Sequence, residues 1–168
     1  MALILDDTVG GEDSNTYINL ADADTYFESR LDSTNWDAAT DAVKDEALAM
    51  ATRMLDDMYN FVGCIASNAQ ALRWPRTRVY DVDGRYLSSD EIPTPIKNAT
   101  CEQALYLLSG DVTSTPVLLT QGFKKAKVGP LMVEADLSFT PSQMSSTTTF
   151  ALQGLGSLRS SVITLHRA

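Results

Sequence analysis

The chain has 168 residues, of which 44% are hydrophobic, and a formal net charge of −9 at pH 7. That length suits one domain with a sizeable core. The excess of acids argues against tight non-specific nucleic-acid binding, whose affinity comes mainly from Lys and Arg neutralising phosphates. No run of about 18 apolar residues is present, so a transmembrane span is not expected. The opening MALILDDTVGG lacks a basic region, and its apolar run stops at Asp6, unlike a secretory signal. Cys64 and Cys101 are too few for a disulfide framework, so they are expected to be small buried thiols in a reducing interior.

The charge is uneven. Residues 1–60 carry 14 acids and three bases, residues 61–130 six acids and eight bases, and residues 131–168 two of each. The negative end of the molecule is therefore its N-terminal third.

In chain order, Asn19 is placed to cap a first helix, with Asp22 near its positive end. Leu20, Ala23, Phe27 and Leu31 follow at helical steps on one face. DAVKDEALAMATRMLDDMY predicts the longest helix, with Val43, Ala47, Met50, Ala51, Met54, Leu55 and Met58 as its apolar stripe. TPIKNATCEQALYLLSGD predicts a third helix: Thr94 caps, Pro95 fits the first position, and Ile96, Thr100, Ala104, Leu107 and Leu108 face inward. Gly110 is expected to end it in the left-handed conformation. FKKAKV and LMVEADL, either side of Gly129-Pro130, then alternate as a β-hairpin over about residues 121–137. Lys124, Lys125 and Lys127 can face Glu134 and Asp136 across it, and Gly-Pro argues for a longer or bulged connection. A lone hairpin is marginal in water and needs a partner. From Ser138 the composition drifts to Ser, Thr, Gly and Gln, which predicts a segment that orders only on a partner. The reading is a mainly α fold: a small bundle of three main helices over residues 1–137, with the extended hairpin, followed by a loosely structured C-terminal tail over 138–168.

Sites for catalysis are not visible. His166 is the only histidine, and no nucleophile elbow, zinc-ligand spacing or phosphate loop is present. No catalytic, cofactor or metal residue is assigned. In YDVDGRYLSSDE a calcium-loop alignment on Gly84 puts Val79 at the first ligand position and Asp90 at the last, so a turn at Asp83-Gly84 is expected instead. ALRWPRTRVY gathers Arg73, Arg76 and Arg78 beside Trp74 and Tyr80. Those side chains can stack on bases or grip phosphates. They can equally pair with acids of the N-terminal half, in the same chain or a neighbour.

The succession Trp74-Pro75-Arg76, Asp-x-Asp-Gly, Ile92-Pro93 and Ile96-Lys97, with NTYINLADADTYFESRL, NWDAATDAVKDEALAMATRMLDDMY and KVGPLMVEAD, resembles a family of small tailed-phage proteins labelled DnaT-like. The resemblance spans most of residues 14–136. It implies one of two roles. In the first, the wider group is similar to head-completion proteins, or head-to-tail adaptors. The chain would then be a structural virion protein made in the host cytoplasm. It would form a ring, usually of twelve copies, in the neck between capsid and tail, touching portal and tail proteins. DNA would pass through the lumen without specific binding, and no membrane would be involved. Candidate subunit or portal contacts are Trp74, Arg76, Arg78, Phe150, Leu152, Leu155, Leu158 and Arg159. Removal of the last twenty or so residues would leave a folded domain unable to bind portal. In the second, the chain is a replication accessory that binds single-stranded DNA through Arg73, Trp74, Arg76, Arg78, Lys124, Lys125 and Lys127. The acidic charge and the partner-seeking hairpin and tail favour the adaptor.

Overall fold

A computed structural model describes residues 3–110, 125–128, 131–134 and 143–159 of the protein. Its first helix, α1 (Leu20–Glu28), begins as predicted: the Asn19 side chain accepts a hydrogen bond from the Asp22 amide at 2.9 Å. Ala23 and Phe27 are buried. The helix stops at Glu28, where Ser29 caps it, so Leu31 falls beyond the helical face and is 94% exposed. A second short helix, α2 (Thr34–Ala38), was not foreseen, because one aromatic in five residues has no period to read. It seats Trp36 against Phe27, ring centroids 4.3 Å apart, and the indole Nε1 donates to Asp24 Oδ1 at 2.8 Å.

Helix α3 (Asp41–Met58) and helix α4 (Thr94–Leu108) are the central pair. Both run through two apolar clusters. One holds Ile18, Phe27, Trp36, Leu48, Ala51, Cys101 and Ala104. The other holds Tyr17, Leu55, Trp74, Val79, Ile96, Met144, Leu152 and Leu155. The predicted stripes are largely inside, but Val43 is 43% exposed in the first turn of α3. Pro93 takes the cap position of α4 in place of Thr94. Gly110 does not adopt the left-handed helical conformation: its φ is 158°, and α4 ends on Ser109.

Two buried polar residues of α4 tie it to its neighbours. Glu102 is 5% exposed; its Oε1 accepts from Arg30 Nε at 2.6 Å and from Tyr26 Oη at 2.8 Å, and its Oε2 accepts from Arg30 Nη2 at 3.0 Å. This forked pair clamps α1 to α4. Gln103, fully buried, donates to the Gln143 carbonyl at 2.9 Å. Its Oε1 accepts from the Ser145 amide at 3.1 Å and the Thr148 hydroxyl at 3.2 Å.

Gln103 corrects the expected boundary at residue 138. Residues 143–159 form helix α5 (Ser146–Ala151) and strand β6 (Gly156–Leu158), which pairs antiparallel with β1 (Tyr59–Phe61). Met144, Thr148, Leu152 and Leu155 are buried. A polar segment with few apolar residues can still join a core when several of them, here Met144, Leu152 and Leu155, are spent inward and its backbone is met by a buried amide. The hairpin exists as strands β4 (Lys125–Val128) and β5 (Leu131–Glu134), paired antiparallel. Val128 lies opposite Leu131, so only Gly129 and Pro130 separate the paired residues, shorter than the expected connection. Lys125 lies opposite Glu134, whereas Lys127 faces Met132. The closing VITLHR, His166, Lys124 and Asp136 lie outside the described residues.

Truncation of the last twenty residues removes Leu152 and Leu155, and is therefore expected to prevent folding. Leu152→Ala should lower the unfolding free energy by about 2–5 kcal/mol, read by urea denaturation followed by circular dichroism.

Candidate nucleic-acid interface

The arginine-aromatic loop starts where α3 passes into β1. Gly63 follows at φ 73°, and a Cβ there would lie 2.3 Å from the Thr77 carbonyl oxygen, so glycine alone fits. Strand β2 (Cys64–Ile65) then pairs antiparallel with β3 (Arg76–Thr77). The guanidinium of Arg76 turns inward among carbonyl groups. Its Nε donates to Val62 O at 2.7 Å, its Nη2 to Gly63 O at 2.8 Å and Phe61 O at 3.4 Å, and its Nη1 to Arg73 O at 3.2 Å. No carboxylate is among these partners. Burial holds its pKa below the usual arginine range.

Beneath it, Trp74 is 1% exposed, precedes Pro75 through a cis peptide bond, and meets Phe61 edge-to-face at 5.7 Å. The Arg73 amide donates to Asp56 Oδ2 at 3.1 Å, and Tyr17 Oη donates to Asp56 Oδ1. Burial raises the Asp56 carboxyl above its ordinary value, although the Tyr17 and Arg73 bonds oppose the shift.

These positions correct the predicted contact set. Trp74, Leu152 and Leu155 are core residues, and Arg76 is 9% exposed with its donors committed to backbone oxygen. None of the four presents a free side chain to a subunit, a portal or DNA. Arg76 also does not pair with N-terminal acids, because the nearest acceptors its fork meets are the carbonyls of its own ribbon. Arg78, Phe150, Leu158 and Arg159 remain at the surface, with Phe150 74% exposed. Arg159 reaches Asn60 Oδ1 at 3.0 Å. Of the other bases proposed for DNA, Arg73 is half-buried, and Lys125 and Lys127 sit on β4. Cys101 is buried, its thiol pushed up to about 12 by desolvation, but Cys64 is exposed on the short β2 edge.

What the loop does expose is a second ribbon. Arg78, at φ 59°, turns the chain out of β3. The Leu87 amide then donates to Val79 O at 2.9 Å and the Asp81 amide to Arg85 O at 2.9 Å, with Tyr80 and Tyr86 bridged between them. Gly84 turns the tip at φ 78°, as the Asp83-Gly84 reading anticipates. Asp81 Oδ1 accepts from the Asp83 and Arg85 amides at 2.9 and 2.7 Å, so this carboxylate builds the turn. Among the described residues, no group of three or more His, Cys, Asp or Glu is placed to hold a metal ion.

Alternation decides which faces point where. Val79 is fully buried and Leu87 packs against the core. Tyr80 and Tyr86 point outward, 56% and 55% exposed, edge-to-face at 5.7 Å. Arg78 is exposed two residues before Tyr80, and Arg85, next to Tyr86 in the chain, is held only loosely, 3.9 Å from Asp83. The result is an exposed aromatic pair on a ribbon fastened to the core, and the same ribbon carries two exposed arginines. Tyr86 was missed at the sequence level. The signal was there: an Asp-Gly turn between Tyr80 and Tyr86 is hairpin punctuation with aromatic cross-strand partners.

A family model described as "Putative DnaT-like ssDNA binding protein" matches residues 1–161, and the chain belongs to that family. No curated protein and no solved structure matches it. No described helix is long and apolar enough to cross a membrane.

Two outcomes follow from the buried groups. Arg76→Lys cannot reproduce the fork and leaves carbonyls unmet, so it should lower stability by about 1–3 kcal/mol in urea titration. The raised carboxyl of Asp56 stabilises the fold below its unfolded pKa near 3.8, and that contribution is lost as pH rises through the folded value. Asp56→Asn keeps an acceptor for the Arg73 amide and a donor for Tyr17. Its stability relative to the parent should therefore rise with pH across that window and be greatest at neutral pH, by thermal melts at a series of pH values.

Proposed function

We propose that this protein binds single-stranded DNA, without catalysis, through the outer face of the Tyr80–Tyr86 ribbon. The observation that carries this reading is the exposed tyrosine pair, on a ribbon that also exposes Arg78 and Arg85. Stacking on an aromatic face is open to any base and is worth about 1–3 kcal/mol per base. Family membership supports the same reading. The net charge of −9 limits its form. With two arginines available to phosphates, binding is short in footprint and dominated by stacking.

The test is fluorescence anisotropy of a labelled oligo(dT) over a salt series. Tyr80→Ser and Tyr86→Ser should each weaken binding roughly 5- to 150-fold, as loss of one stacked base requires. The slope of log affinity against log salt should be shallow, no steeper than about −1.4 for two phosphate contacts on a single strand. Unchanged affinity in the double tyrosine variant would overturn the assignment.

A second reading is the head-to-tail adaptor: a ring in the virion neck, in contact with portal and tail proteins. The strongly acidic first 60 residues support it, since like charge keeps passing DNA from sticking. So do Phe150 and Leu158, 74% and 43% exposed on C-terminal elements otherwise turned inward. Co-sedimentation with portal rings, together with indifference to the oligonucleotide, is the result that would favour it.

A further inference from the structure

Beside the ribbon is a cleft of about 280 Å³ between its tip, the start of α4 and the turn after α5. Val82, Pro93 and Leu155 supply apolar walls, while Asp81, Glu91 and Gln153 supply polar groups. The cleft adjoins the tyrosine ribbon, because Asp81, Val82 and Leu87, which line it, are residues of that same ribbon. Gly154, at φ 86°, lets Val82 close over the turn: a Cβ there would lie 2.7 Å from Val82 Cγ1. The volume is near the lower edge of ligand pockets, which run from about 300 to 1,000 Å³, and suits one planar ring system.

The polar groups are mostly acceptors. Glu91 is exposed and its carboxylate has no partner among the described residues; Asp81 keeps Oδ2 free of the two amides that occupy Oδ1. A carboxylate accepts at two oxygens and donates nothing. It is matched by a base edge with two adjacent N–H donors. Guanine alone presents that edge, through N1–H and its 2-amino group. Adenine and cytosine offer an amino group beside a ring acceptor, and thymine offers one N–H between two carbonyls. In a duplex the guanine edge is occupied by cytosine, so the match exists only for an unpaired base.

We infer that the cleft receives one unpaired guanine, its edge on Glu91 and Asp81 and its faces against Val82, Pro93 and Leu155, while neighbouring bases stack on Tyr80 and Tyr86. The inference rests on the single-strand reading above and assigns it a base preference. It also gives the acids around the tip a use: they repel phosphate but accept from a base edge.

The experiment compares labelled oligo(dT) strands carrying one central dG, dI, dA or dC, or none. dG should bind at least fivefold tighter than dT, dA and dC. dI, which lacks the 2-amino group, should lose most of that gain. Glu91→Gln should bring the dG to dT ratio close to one, with oligo(dT) affinity no weaker and at most slightly raised by the lost negative charge, and with an unaltered circular dichroism spectrum. Tyr80→Ser should weaken all strands alike. Equal binding of dG, dI and dT that still depends on Tyr80 would overturn the guanine pocket and leave the ribbon standing. Binding of none would overturn both.

Discussion

The surface of this protein depends on one buried guanidinium. Arg76 donates to carbonyls of Phe61, Val62, Gly63 and Arg73, and so binds the strand leaving α3 to the strand that returns. The carbonyls at this bend have no neighbouring strand to meet them all, and buried carbonyls left unmet are costly. A planar fork with five donors meets several at once; an ammonium group is too compact to span them. Because that bend is held, Trp74 is held below it, and Arg78 turns the chain outward at a defined place. The exposed tyrosines inherit their position from a residue that is itself almost wholly buried.

Helix α4 solves a related problem with two consecutive side chains. Glu102 and Gln103 point to different sides, one toward α1 and the other toward the segment before α5. Both are buried polar groups, and both are matched by donors and acceptors in number. A buried carboxylate without Arg30 would carry a heavy desolvation penalty. With the fork in place it becomes a fixed joint. The same logic admits a Ser/Thr-rich segment to the core: Gln103 meets its backbone, and Leu152 and Leu155 fill the space beside Tyr17 and Trp74.

The long helices were legible because their period is written many times over: α3 repeats its apolar stripe through five turns, and Asn19 announces α1 by its cap. The hairpin was legible from strict alternation between Leu131 and Leu137. Helix α2 and residues 143–159 were not, since their burial depends on single side chains such as Trp36 and Met144 meeting partners far along the chain. The site was half legible. Arginine and tryptophan in one loop suggested a binding surface, but residue type does not reveal which way a side chain turns. Trp74 and Arg76, the most suggestive residues, turned inward to build the loop; the plainer Tyr80 and Tyr86 were left outside. In a ribbon of alternating faces, burying Val79 and Leu87 obliges their neighbours to face water.

Electrostatics narrows what that outer face can do. Around the tip, Arg78 and Arg85 are outnumbered by Asp81, Asp83, Asp90 and Glu91, so the local field favours no polyanion. Duplex DNA hides its base faces and presents mainly phosphate along its flanks, leaving such a surface little to hold. A single strand offers rings and unpaired edges instead, and these are attracted by tyrosine faces and by acceptors whatever the net charge. On the single-strand reading, phosphate repulsion opposes contacts other than the stacked and edge-bonded ones and those to Arg78 and Arg85, and the acidic surround would act as a filter against paired DNA. The same repulsion that would keep DNA moving through a channel would also keep a bound strand readily released, so one charge distribution is compatible with either biological setting.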